Sequence, residues 1–269
     1  MPKELLGLIA GNGKFPILLA QKAKSQNFKV IAAGIHGDTS IFLKFFVNQL
    51  AWFKVGELKK LFSFFEQAGV SQVIMAGQVN PNNLFEKNVV LDDEFKDLFE
   101  VLSDRKADTI FSAIGEKLEK KGMELVNSIF LLKEYLAPKG TFTQRGPSLK
   151  ELEDIEFGKV IAKAMGGLDV GQTVVIKNKA IVAIEAMEGT DRTILRGGKI
   201  AQTGAVIVKT SKPNQDLRFD VPVIGPRTIK TMIKTDAKCL AIEAGKTLII
   251  DKDLCVKLAN SHQICILGI

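Results

Sequence analysis

The stretch LLGLIAGNGKFPILLAQKAKSQNFKVIAAGI, residues 5–35, decides the fold of the first half of the chain. Its apolar run from Leu5 to Ala10 predicts a buried strand, which Gly11-Asn12-Gly13 follows as a turn. A helix is predicted from near Pro16 to about Gln26, since proline suits the first helical turn, where no backbone N–H is needed. A second apolar run, Val30 to Ala33, completes a strand, helix and strand. This order predicts a βαβ unit with parallel strands.

The alternation of strands and helices continues through the first half of the chain. Apolar periodicity predicts four further elements: helix Glu57 to Ala68, strand Gln72 to Ala76, helix Lys106 to Lys121 and strand Met123 to Asn127. Such alternation is typical of a parallel sheet covered by helices. The sequence therefore predicts a Rossmann-like N-terminal domain over residues 1–135.

A segment that contains Pro and Gly separates this half from the second. It lacks a long hydrophobic period, and we assign residues 136–148 to a linker. The second half begins with a helix from Leu149 to Met165, for which Ser148 and Glu151 form a capping box. Strands and helices then follow: hairpin arms Gln172–Ile176 and Ala180–Ala186, helix Asp191–Arg196, strand Ala205–Lys209, helix Arg227–Lys234, strand Cys239–Glu243, helix Lys252–Ser261 and strand Ile264–Leu267. Residues 149–269 are thus predicted to form a mixed α/β domain, and the chain to be a two-domain α/β protein.

The composition is that of a globular protein. The 269 residues are 46% hydrophobic and 25% charged, which is sufficient for a sizeable core. We expect no secretion signal, because Met1-Pro2-Lys3-Glu4 leads almost directly into a strand-like apolar run without a charged n-region or a cleavage site. We expect no membrane-spanning helix, because Lys, Glu or Gly interrupts the apolar stretches well below the roughly 18 residues a span needs. Three widely spaced cysteines, Cys239, Cys255 and Cys265, suit a reducing compartment, and we expect a cytoplasmic protein.

The formal charge of +7 is spread along the chain in mixed Lys/Glu segments. No compact basic run of the kind that binds nucleic acid is present, so we expect no nucleic-acid partner. Anionic small molecules or an anionic membrane surface remain compatible with this charge, as does a simple role in solubility. No amphipathic basic helix that would anchor the protein to a membrane is evident.

Several mechanistic classes lack their signatures. The chain has only two histidines, His36 and His262, which lie far apart in the sequence. It contains no His-Glu-X-X-His, no Gly-X-Ser-X-Gly and no Walker loop, which argues against zinc proteases, serine hydrolases and P-loop enzymes.

The turn Gly11-Asn12-Gly13 resembles the start of a dinucleotide fingerprint. Pro16 stands at the third glycine of Gly-X-Gly-X-X-Gly, and Asp38 is only a loose acidic partner. Three interpretations remain open: an ordinary tight turn, a contact to a nucleotide or phosphate, and a redox dinucleotide site.

The segment from Lys209 to Asp220 concentrates charged residues. If Asp216 to Val221 is extended, Asp216, Arg218 and Asp220 share one face of a strand. Two carboxylates beside a guanidinium suit phosphoryl chemistry, because carboxylates bind Mg²⁺ and a guanidinium neutralises phosphate charge. Lys212 and Lys209 would add phosphate contacts. The alternative is a half-exposed strand with cross-paired charges.

A second polar cluster runs from Glu185 to Asp191. It predicts the end of a strand, a turn at Gly189 and a helix start, where Thr190 or Asp191 caps the free amides or faces an anion. Candidates of lower weight are Asp104 in the first domain, Thr143 and Arg145 after the linker start, and Gln172 at the hairpin.

Five stretches together resemble a known family, over nearly the whole chain. They are GLIAGNGKFPILLA from Gly7, VIMAGQV from Val73, LAPKGTFTQRGPS from Leu136, LDVGQTVVIKNKAIVAIEAMEGTDRT from Leu168 and VKTSKPNQDLRFDVPVIGPRT from Val208. The family is that of the LpxI-type UDP-2,3-diacylglucosamine pyrophosphatases of lipid A biosynthesis in Gram-negative bacteria. The resemblance implies hydrolysis at the α-phosphorus to UMP and 2,3-diacylglucosamine 1-phosphate (lipid X), with Mg²⁺ or Mn²⁺, and a lipid bound between two domains.

The resemblance also implies that Asp220 is the important aspartate of the family. We expect Asp216 and Asp191 to assist it in catalysis, and Asp191 and Glu188 to bind the metal with Asp220. The residues expected to bind substrate are Gly11, Asn12, Gly13, Gly77, Asp104, Thr143, Arg145, Gln172, Thr190, Lys209, Lys212, Gln215 and Arg218. We further expect transient contact with the inner face of the inner membrane, and a homodimer is compatible with the sequence.

Two other function classes remain open at this stage. One is a nucleotide-sugar oxidoreductase that uses the Gly11-Asn12-Gly13 turn. The other is a nucleotide-binding regulator without enzymatic activity. Binding of NAD(P)H would favour the first, and tight binding of UMP or UDP without turnover would favour the second.

Overall fold

The protein, described here from a computed structural model, folds into two units. The structure describes residues 4–79, 90–102, 104 and 106–269. One unit contains the chain up to Lys133 and also Asp216–Asp220, and the other contains Glu134–Gln215 and Val221–Ile269. Each unit has its own sheet and helices, which confirms the predicted two-domain α/β class.

The N-terminal unit is built on a parallel sheet. Its strands are β1 (Leu5–Ala10), β2 (Lys29–Ile35), β3 (Gln49–Phe53), β4 (Gln72–Ala76) and β5 (Glu124–Leu125). Its helices are α1 (Phe15–Ser25), α2 (Leu58–Gln67), α3 (Asp93–Val101) and α4 (Ala107–Lys120), with a short 3-10 helix at Ile41–Phe45. All strand pairs are parallel in the order β3-β2-β1-β4-β5. This order is that of a Rossmann sheet, so the Rossmann-like prediction is confirmed.

Strand β3 and helix α3 have no counterpart among the predicted elements. β3 is an edge strand that is only partly buried at most positions, so its sequence QLAWF lacks clear alternation. α3 is nine residues long and begins where the carboxylate of Asp92 accepts a hydrogen bond from the N–H of Phe95. β3 therefore has no periodic pattern, whereas α3 carries Phe95, Leu98 and Phe99 at helical spacing, but only over nine residues.

The C-terminal unit contains a mixed sheet. Its strands are β6 (Gly140–Thr141), β7 (Thr173–Lys177), β8 (Ala180–Ile184), β9 (Val206–Lys209), β10 (Val223–Ile224), β11 (Cys239–Ile242), β12 (Leu248–Ile249) and β13 (Cys265–Gly268). Its helices are α5 (Leu149–Gly167), α6 (Thr190–Ala201), α7 (Pro226–Lys234) and α8 (Lys252–Ser261); a second 3-10 helix covers Lys133–Tyr135. The main sheet has the order β6-β13-β11-β9-β7-β8, and β10 pairs with β12 separately.

Two apolar cores cover the two faces of this sheet. Strands β9, β11 and β13 are parallel, whereas β6, β7 and β8 pair antiparallel with their neighbours. Val174 and Ile176 pack on the face covered by α5, and Val175 packs on the face covered by α6, α7 and α8. The capping box predicted for α5 is present, since the Ser148 hydroxyl accepts from the N–H of Glu151 and the Glu151 carboxylate accepts from the N–H of Ser148.

Residues 136–148, which we interpreted as a linker, take part in the C-terminal unit. Gly140 and Thr141 form β6 against β13, and the side chain of Ala137 is buried in the core that α6, α7 and α8 cover. The hydroxyl oxygen of Thr143 accepts a hydrogen bond from the N–H of Ile266. The Pro and Gly that interrupt the hydrophobic period therefore mark a short edge strand.

The segment Asp216–Asp220 leaves the C-terminal unit and packs on the N-terminal one. Asp216 to Val221 is not extended, which was the condition for a shared face of Asp216, Arg218 and Asp220, because the N–H groups of Phe219 and Asp220 donate to the carbonyl of Asp216 and close a turn. The ring of Phe219 lies 5.7 Å from that of Phe111 on α4. The alternation of apolar residues in this segment therefore does not reflect a strand; it belongs to a turn in which the side chain of Phe219 packs on the N-terminal unit.

A partly buried ion-pair cluster joins the ends of β9 and β11. The Glu243 carboxylate accepts hydrogen bonds from the hydroxyl (2.7 Å) and the N–H (2.8 Å) of Ser211, and from the ammonium of Lys163 at 2.7 Å. Lys246 adds a contact of 3.0 Å to its other oxygen. Burial alone raises the pKa of Glu243, but these donors outweigh it and lower the pKa from 4.5 to about 2.

We expect Gly158→Ala to destabilise the protein. A methyl group at this position of α5 would lie 2.9 Å from the side chain of Val208 and closer still to Ile176. Overpacking of this kind costs about 1–3 kcal/mol, more than the roughly 1 kcal/mol gained in helix propensity. Urea unfolding measures the change. Gly167→Ala is the control, because its nearest neighbour would lie 3.7 Å away; equal losses for the two variants would contradict the prediction.

We also expect the free energy of unfolding to decrease as the pH is lowered, because the carboxylate of Glu243 becomes protonated. A carboxylate whose pKa is lower in the folded state stabilises the fold above its unfolded pKa, and that contribution is lost as pH falls through the folded value. The loss should therefore extend from pH 4.5 down to about 2, and amount to roughly 1–2 kcal/mol, because solvent screens the charges of this partly buried carboxylate. Glu243→Gln should show a weaker pH dependence in urea unfolding, whereas the exposed Glu156→Gln should keep that of the wild type. An unchanged slope in Glu243→Gln would refute this account.

Candidate active site

The polar residues of the C-terminal unit gather at one edge of its sheet. The carboxyl ends of the parallel strands β9 and β11 lie there, together with the end of β8 and the start of β7, which runs antiparallel to both neighbours. Glu185 follows β8, Thr173 begins β7, and Lys209 ends β9. Ligand sites of α/β folds occur at the carboxyl ends of strands, which makes this edge the first candidate in the unit.

Glu185 and Lys209 form a buried ion pair at this edge. The Lys209 ammonium lies 3.8 Å from a Glu185 oxygen and donates to the hydroxyl oxygens of Thr190 (2.9 Å) and Thr173 (3.3 Å). The Thr190 hydroxyl in turn donates to Glu185 at 2.8 Å. Burial alone raises the pKa of Glu185, but the charge of Lys209 and these hydrogen bonds lower it on balance. The predicted phosphate contact Lys209 thus has a carboxylate partner.

The start of α6 places the predicted acidic ligands beside arginines. Gly189, with a φ of 81°, precedes the helix, and no side chain caps it. Asp191 pairs with Arg227 at 2.8 Å. Glu188 pairs with Arg196 at 2.6 Å. Burial raises the pKa of Glu188, but Arg196 and backbone N–H donors lower it overall, which favours the charged form.

The loop after β9 holds two more predicted residues. The Lys212 ammonium donates to Asp169 at 2.5 Å, and the Lys212 N–H donates to the side-chain oxygen of Gln215 at 2.6 Å. The N–H of Gln172 donates to Glu185 at 3.3 Å. Lys212, Gln215 and Gln172 thus lie at the same edge as Glu185.

Thr143 and Arg145 attach the segment around β6 to the C-terminal sheet. The Arg145 guanidinium donates to Glu151 at 2.6 Å and to the carbonyl of Lys238 at 3.1 Å. The Thr143 hydroxyl donates to the carbonyl of Arg145. These contacts give both side chains a structural use; their role as substrate ligands stays a prediction.

In the N-terminal unit, Gly11 and Gly77 are required by a close backbone approach. The N–H of Gly11 donates to the carbonyl of Ala76, and that of Asn12 to the carbonyl of Gln78, both at 2.8 Å. A Cβ on Gly11 would lie 2.6 Å from the Gln78 oxygen, and one on Gly77 2.5 Å from the Asn12 oxygen. Of the three interpretations of the glycine turn, this geometry favours the ordinary tight turn, which also includes Gly13.

The turn Asp216–Asp220 lies at the carboxyl edge of the N-terminal sheet. The Ser128 hydroxyl is within hydrogen-bond distance of the carbonyl of Met75, in β4, at 2.7 Å and of Arg218 at 2.6 Å. The Ser128 N–H donates to the carbonyl of Leu217 at 3.0 Å. Three hydrogen-bond contacts of one serine therefore fix this turn beside the end of β4.

Within this turn, Asp216 and Arg218 form a bidentate pair. Arg218 Nη2 lies 2.8 Å from Asp216 Oδ2, and Nε lies 3.1 Å from Oδ1. Burial raises the pKa of Asp216, but Arg218 lowers it overall, and Glu119 contacts the same guanidinium at 3.2 Å. The carboxylate of Asp216 thereby positions Arg218. The two residues are close to each other, as the sequence suggested, but a turn rather than a strand brings them together.

Asp104 lies at the start of α4. It accepts a hydrogen bond from the N–H of Lys106 at 3.1 Å. Hydrogen bonds from the hydroxyl of Thr109 and from Lys106 lower the pKa of Asp104. Its described contacts are those of a residue that precedes a helix, and its contact to substrate stays a prediction.

The predicted metal ligands do not assemble within one unit. Asp220 belongs to the N-terminal unit, and Asp191 and Glu188 belong to the C-terminal unit, where each pairs with an arginine. In the described ranges of the chain, no three His, Cys, Asp or Glu side chains come together in a way that could hold a metal ion. The residues of either unit alone therefore do not fit the expected Mg²⁺ site.

Sequence reasoning missed several residues near the carboxyl edges of the two sheets. Ser211, Lys163 and Glu243 form the cluster described above, and Ser128 holds the turn. Serines and single charges of this kind give no motif, and only the position of Ser211 and Glu243 within two residues of a strand end could have indicated them.

Comparison with known proteins adds a second line of information. The family model of the LpxI N-terminal domain matches residues 5–135, and that of the LpxI C-terminal domain matches residues 138–267. A curated relative from Caulobacter vibrioides, named UDP-2,3-diacylglucosamine pyrophosphatase LpxI, is 28% identical over 278 residues, which cover 98% of this chain and 97% of that protein.

Two solved structures show only a distant likeness. The biotin carboxylase domain of Hydrogenobacter thermophilus 2-oxoglutarate carboxylase is 12% identical, with a TM-score of 0.29, over 73% of this chain and 40% of that one. Biotin carboxylase from Campylobacter jejuni is 10% identical, with the same TM-score of 0.29, over 73% and 42%. The present chain thus spans less than half of either protein, and likeness at this level supports no argument about function. The two family models, by contrast, together cover nearly the whole chain, and the protein belongs to the LpxI family.

Proposed function

We propose that this protein hydrolyses the pyrophosphate of UDP-2,3-diacylglucosamine, with water attacking the α-phosphorus, to give UMP and lipid X in lipid A biosynthesis. The observation that carries the proposal is the match to both LpxI domains and, over 98% of this chain and 97% of the other, to a relative with that name. Because the match includes both units, the proposal concerns the whole chain.

Asp220 is the proposed catalytic residue. It ends a turn that the N-terminal unit holds through Ser128, Phe219 and Arg218. Two N–H···O bonds to the carbonyl of Asp216 fix the backbone of this turn. A carboxylate on such a constrained backbone is suited to orient a water molecule, because little conformational freedom is lost when the substrate binds. Asp216 acts as a positioning residue for Arg218 in this proposal.

Arg218 is the best-placed cation for substrate phosphate among those predicted. Lys209 and Lys212 are 7% and 12% exposed and pair with Glu185 and Asp169, so solvent-borne phosphate reaches them poorly. The Arg218 side chain is 38% exposed. Its guanidinium is oriented by Asp216 and Glu119, and it would offset charge on the pyrophosphate during hydrolysis.

Dependence on Mg²⁺ or Mn²⁺ is a separate proposal, which rests on the family resemblance. A bound divalent ion would supply charge neutralisation and activation of water. Since the described residues of neither unit alone provide a three-ligand site, we assign no step to the ion. Chelation by EDTA followed by titration with Mg²⁺ or Mn²⁺ tests the dependence directly.

Incubation with the diacylated nucleotide sugar tests the proposed reaction. Release of UMP and lipid X, with ¹⁸O from labelled water in UMP, would support attack at the α-phosphorus. Label in lipid X instead would contradict the position of attack. UMP or UDP binding without turnover, under any divalent ion, would favour a regulator, and hydride transfer with NAD(P)H would favour an oxidoreductase.

We expect Asp220→Asn to lose activity while the protein stays folded. Loss of a residue that orients or deprotonates water costs roughly 100-fold to 10,000-fold in rate. The measurement is the initial rate of UMP release, with circular dichroism to verify folding. Asp93→Asn is the matched control, since this aspartate of α3 has an 81% exposed side chain. Full activity of Asp220→Asn would remove Asp220 from the mechanism.

A further inference from the structure

The outer face of α6 is cationic and apolar. Its exposed side chains, which recur at three- and four-residue intervals, are Arg192, Leu195, Arg196, Lys199 and Ile200. The same five residues line a shallow groove on the surface. The opposite face, which includes Thr193, Ile194, Gly197 and Gly198, is buried. The helix therefore presents three cations and two aliphatic side chains to solvent, and no carboxylate of α6 shares that face.

Helix α7 lies beside α6 and extends this surface. A Cβ on Gly198 would collide with the side chain of Thr235, directly after α7, and Asp191 pairs with Arg227 between the two helices. The exposed residues of α7 include Arg227, Lys230 and Lys234. In the part of the chain that the structure describes, no carboxylate lies within ion-pair distance of Arg192, Lys199, Lys230 or Lys234. Helices α6 and α7 thus form one basic surface, which we call the α6–α7 surface.

The aliphatic residues on this surface distinguish among anionic partners. Ile200 is 64% exposed and Leu195 is 37% exposed, and both lie between cations. Nucleic acid would gain little from them, because sequence-independent binding of single strands uses aromatic stacking and the surface has no aromatic side chain. A second copy of the same surface would be repelled by like charge. An anionic bilayer can use both kinds of side chain, because binding to its surface grows with the attraction between cations and anionic lipids and with the apolar area that enters the headgroup region.

We propose that the α6–α7 surface docks on a bilayer that contains anionic phospholipids. Arg192, Lys199, Lys230 and Lys234 contact lipid phosphates, and Leu195 and Ile200 reach the acyl boundary. Helix α6 begins at Thr190, beside the Glu185–Lys209 pair, so the docked surface adjoins the candidate edge of the C-terminal sheet. No helix among the described residues is long and apolar enough to cross a membrane. Docking itself requires no catalytic step and stands apart from the proposed function.

The sequence did not indicate this surface, because α6 was predicted only from Asp191 to Arg196. The helix continues to Ala201 and adds Lys199 and Ile200 to the exposed face. The cations of α7 come from a distant part of the sequence. The helix predicted from Asp191 to Arg196 was too short to show a basic amphipathic pattern.

Vesicle co-sedimentation of the full chain tests docking, with phosphatidylcholine vesicles that either contain or lack phosphatidylglycerol. We expect binding only to the anionic vesicles, and weaker binding at high salt. Each cation near an anionic surface contributes roughly fivefold in affinity, so Arg192→Gln with Lys199→Gln should weaken binding about 25-fold. Ile200→Asn should weaken it several-fold without any change of charge.

The control variant also loses two positive charges, but from α5, on the opposite face of the C-terminal sheet. Lys150→Gln with Lys159→Gln removes two exposed cations from α5, which also carries Glu153 and Glu156. This variant should bind vesicles like the wild type. Equal weakening in the two double variants would show that net charge alone drives binding, and absence of wild-type binding to anionic vesicles would also overturn the proposal. Neither outcome depends on measured hydrolysis, so failure of docking and failure of the proposed reaction are distinguishable.

Discussion

The contacts of Ser128 with the turn Asp216–Asp220 are the interaction on which the proposed site depends. The hydroxyl of this fully buried serine faces the carbonyls of Met75 and Arg218, and its N–H bonds the carbonyl of Leu217. A serine hydroxyl has one proton, which the two carbonyls must share. Through Ser128 the end of β4 at Ala76 is joined to a turn that begins 140 residues later in the sequence, at Asp216. Phe219 packing on Phe111 adds an apolar anchor to the same turn.

A second constraint is the pairing of the cations that the sequence suggested for substrate binding. Lys209, Lys212, Arg218 and Arg145 pair with Glu185, Asp169, Asp216 and Glu151, respectively. Buried charges require such partners, because removing one partner leaves an uncompensated charge in a medium of low polarity. Several of these cations therefore stabilise the fold near the strand ends through their ion pairs. Arg218 is the most exposed of the four, and the turn therefore presents a cation that substrate phosphate could reach.

The fold was largely predictable, whereas the site was predictable only in part. The βαβ unit from Leu5 to Ile35, the hairpin around Asn178 and the helix Lys252–Ser261 follow from local periodicity and turn residues, and the structure has them. The alternation of Asp216, Arg218 and Asp220 is equally local, yet it belongs to a turn. Its conformation is set by Ser128 and Phe111, which are distant in sequence, and local pattern contains no information about them. Glu243 and Lys163 were missed for the same reason.

The attachment of Asp216–Asp220 to the N-terminal unit also affects how the chain is made. A ribosome releases the N-terminal residues first, and domains generally fold as units during synthesis. Here the first unit lacks five of its residues until most of the second has been synthesised. Until then the surface around Phe111 and Ser128 is uncovered. The first domain therefore reaches its final packing late, and a fragment cut at the boundary near Lys133 would lack both that cover and Asp220.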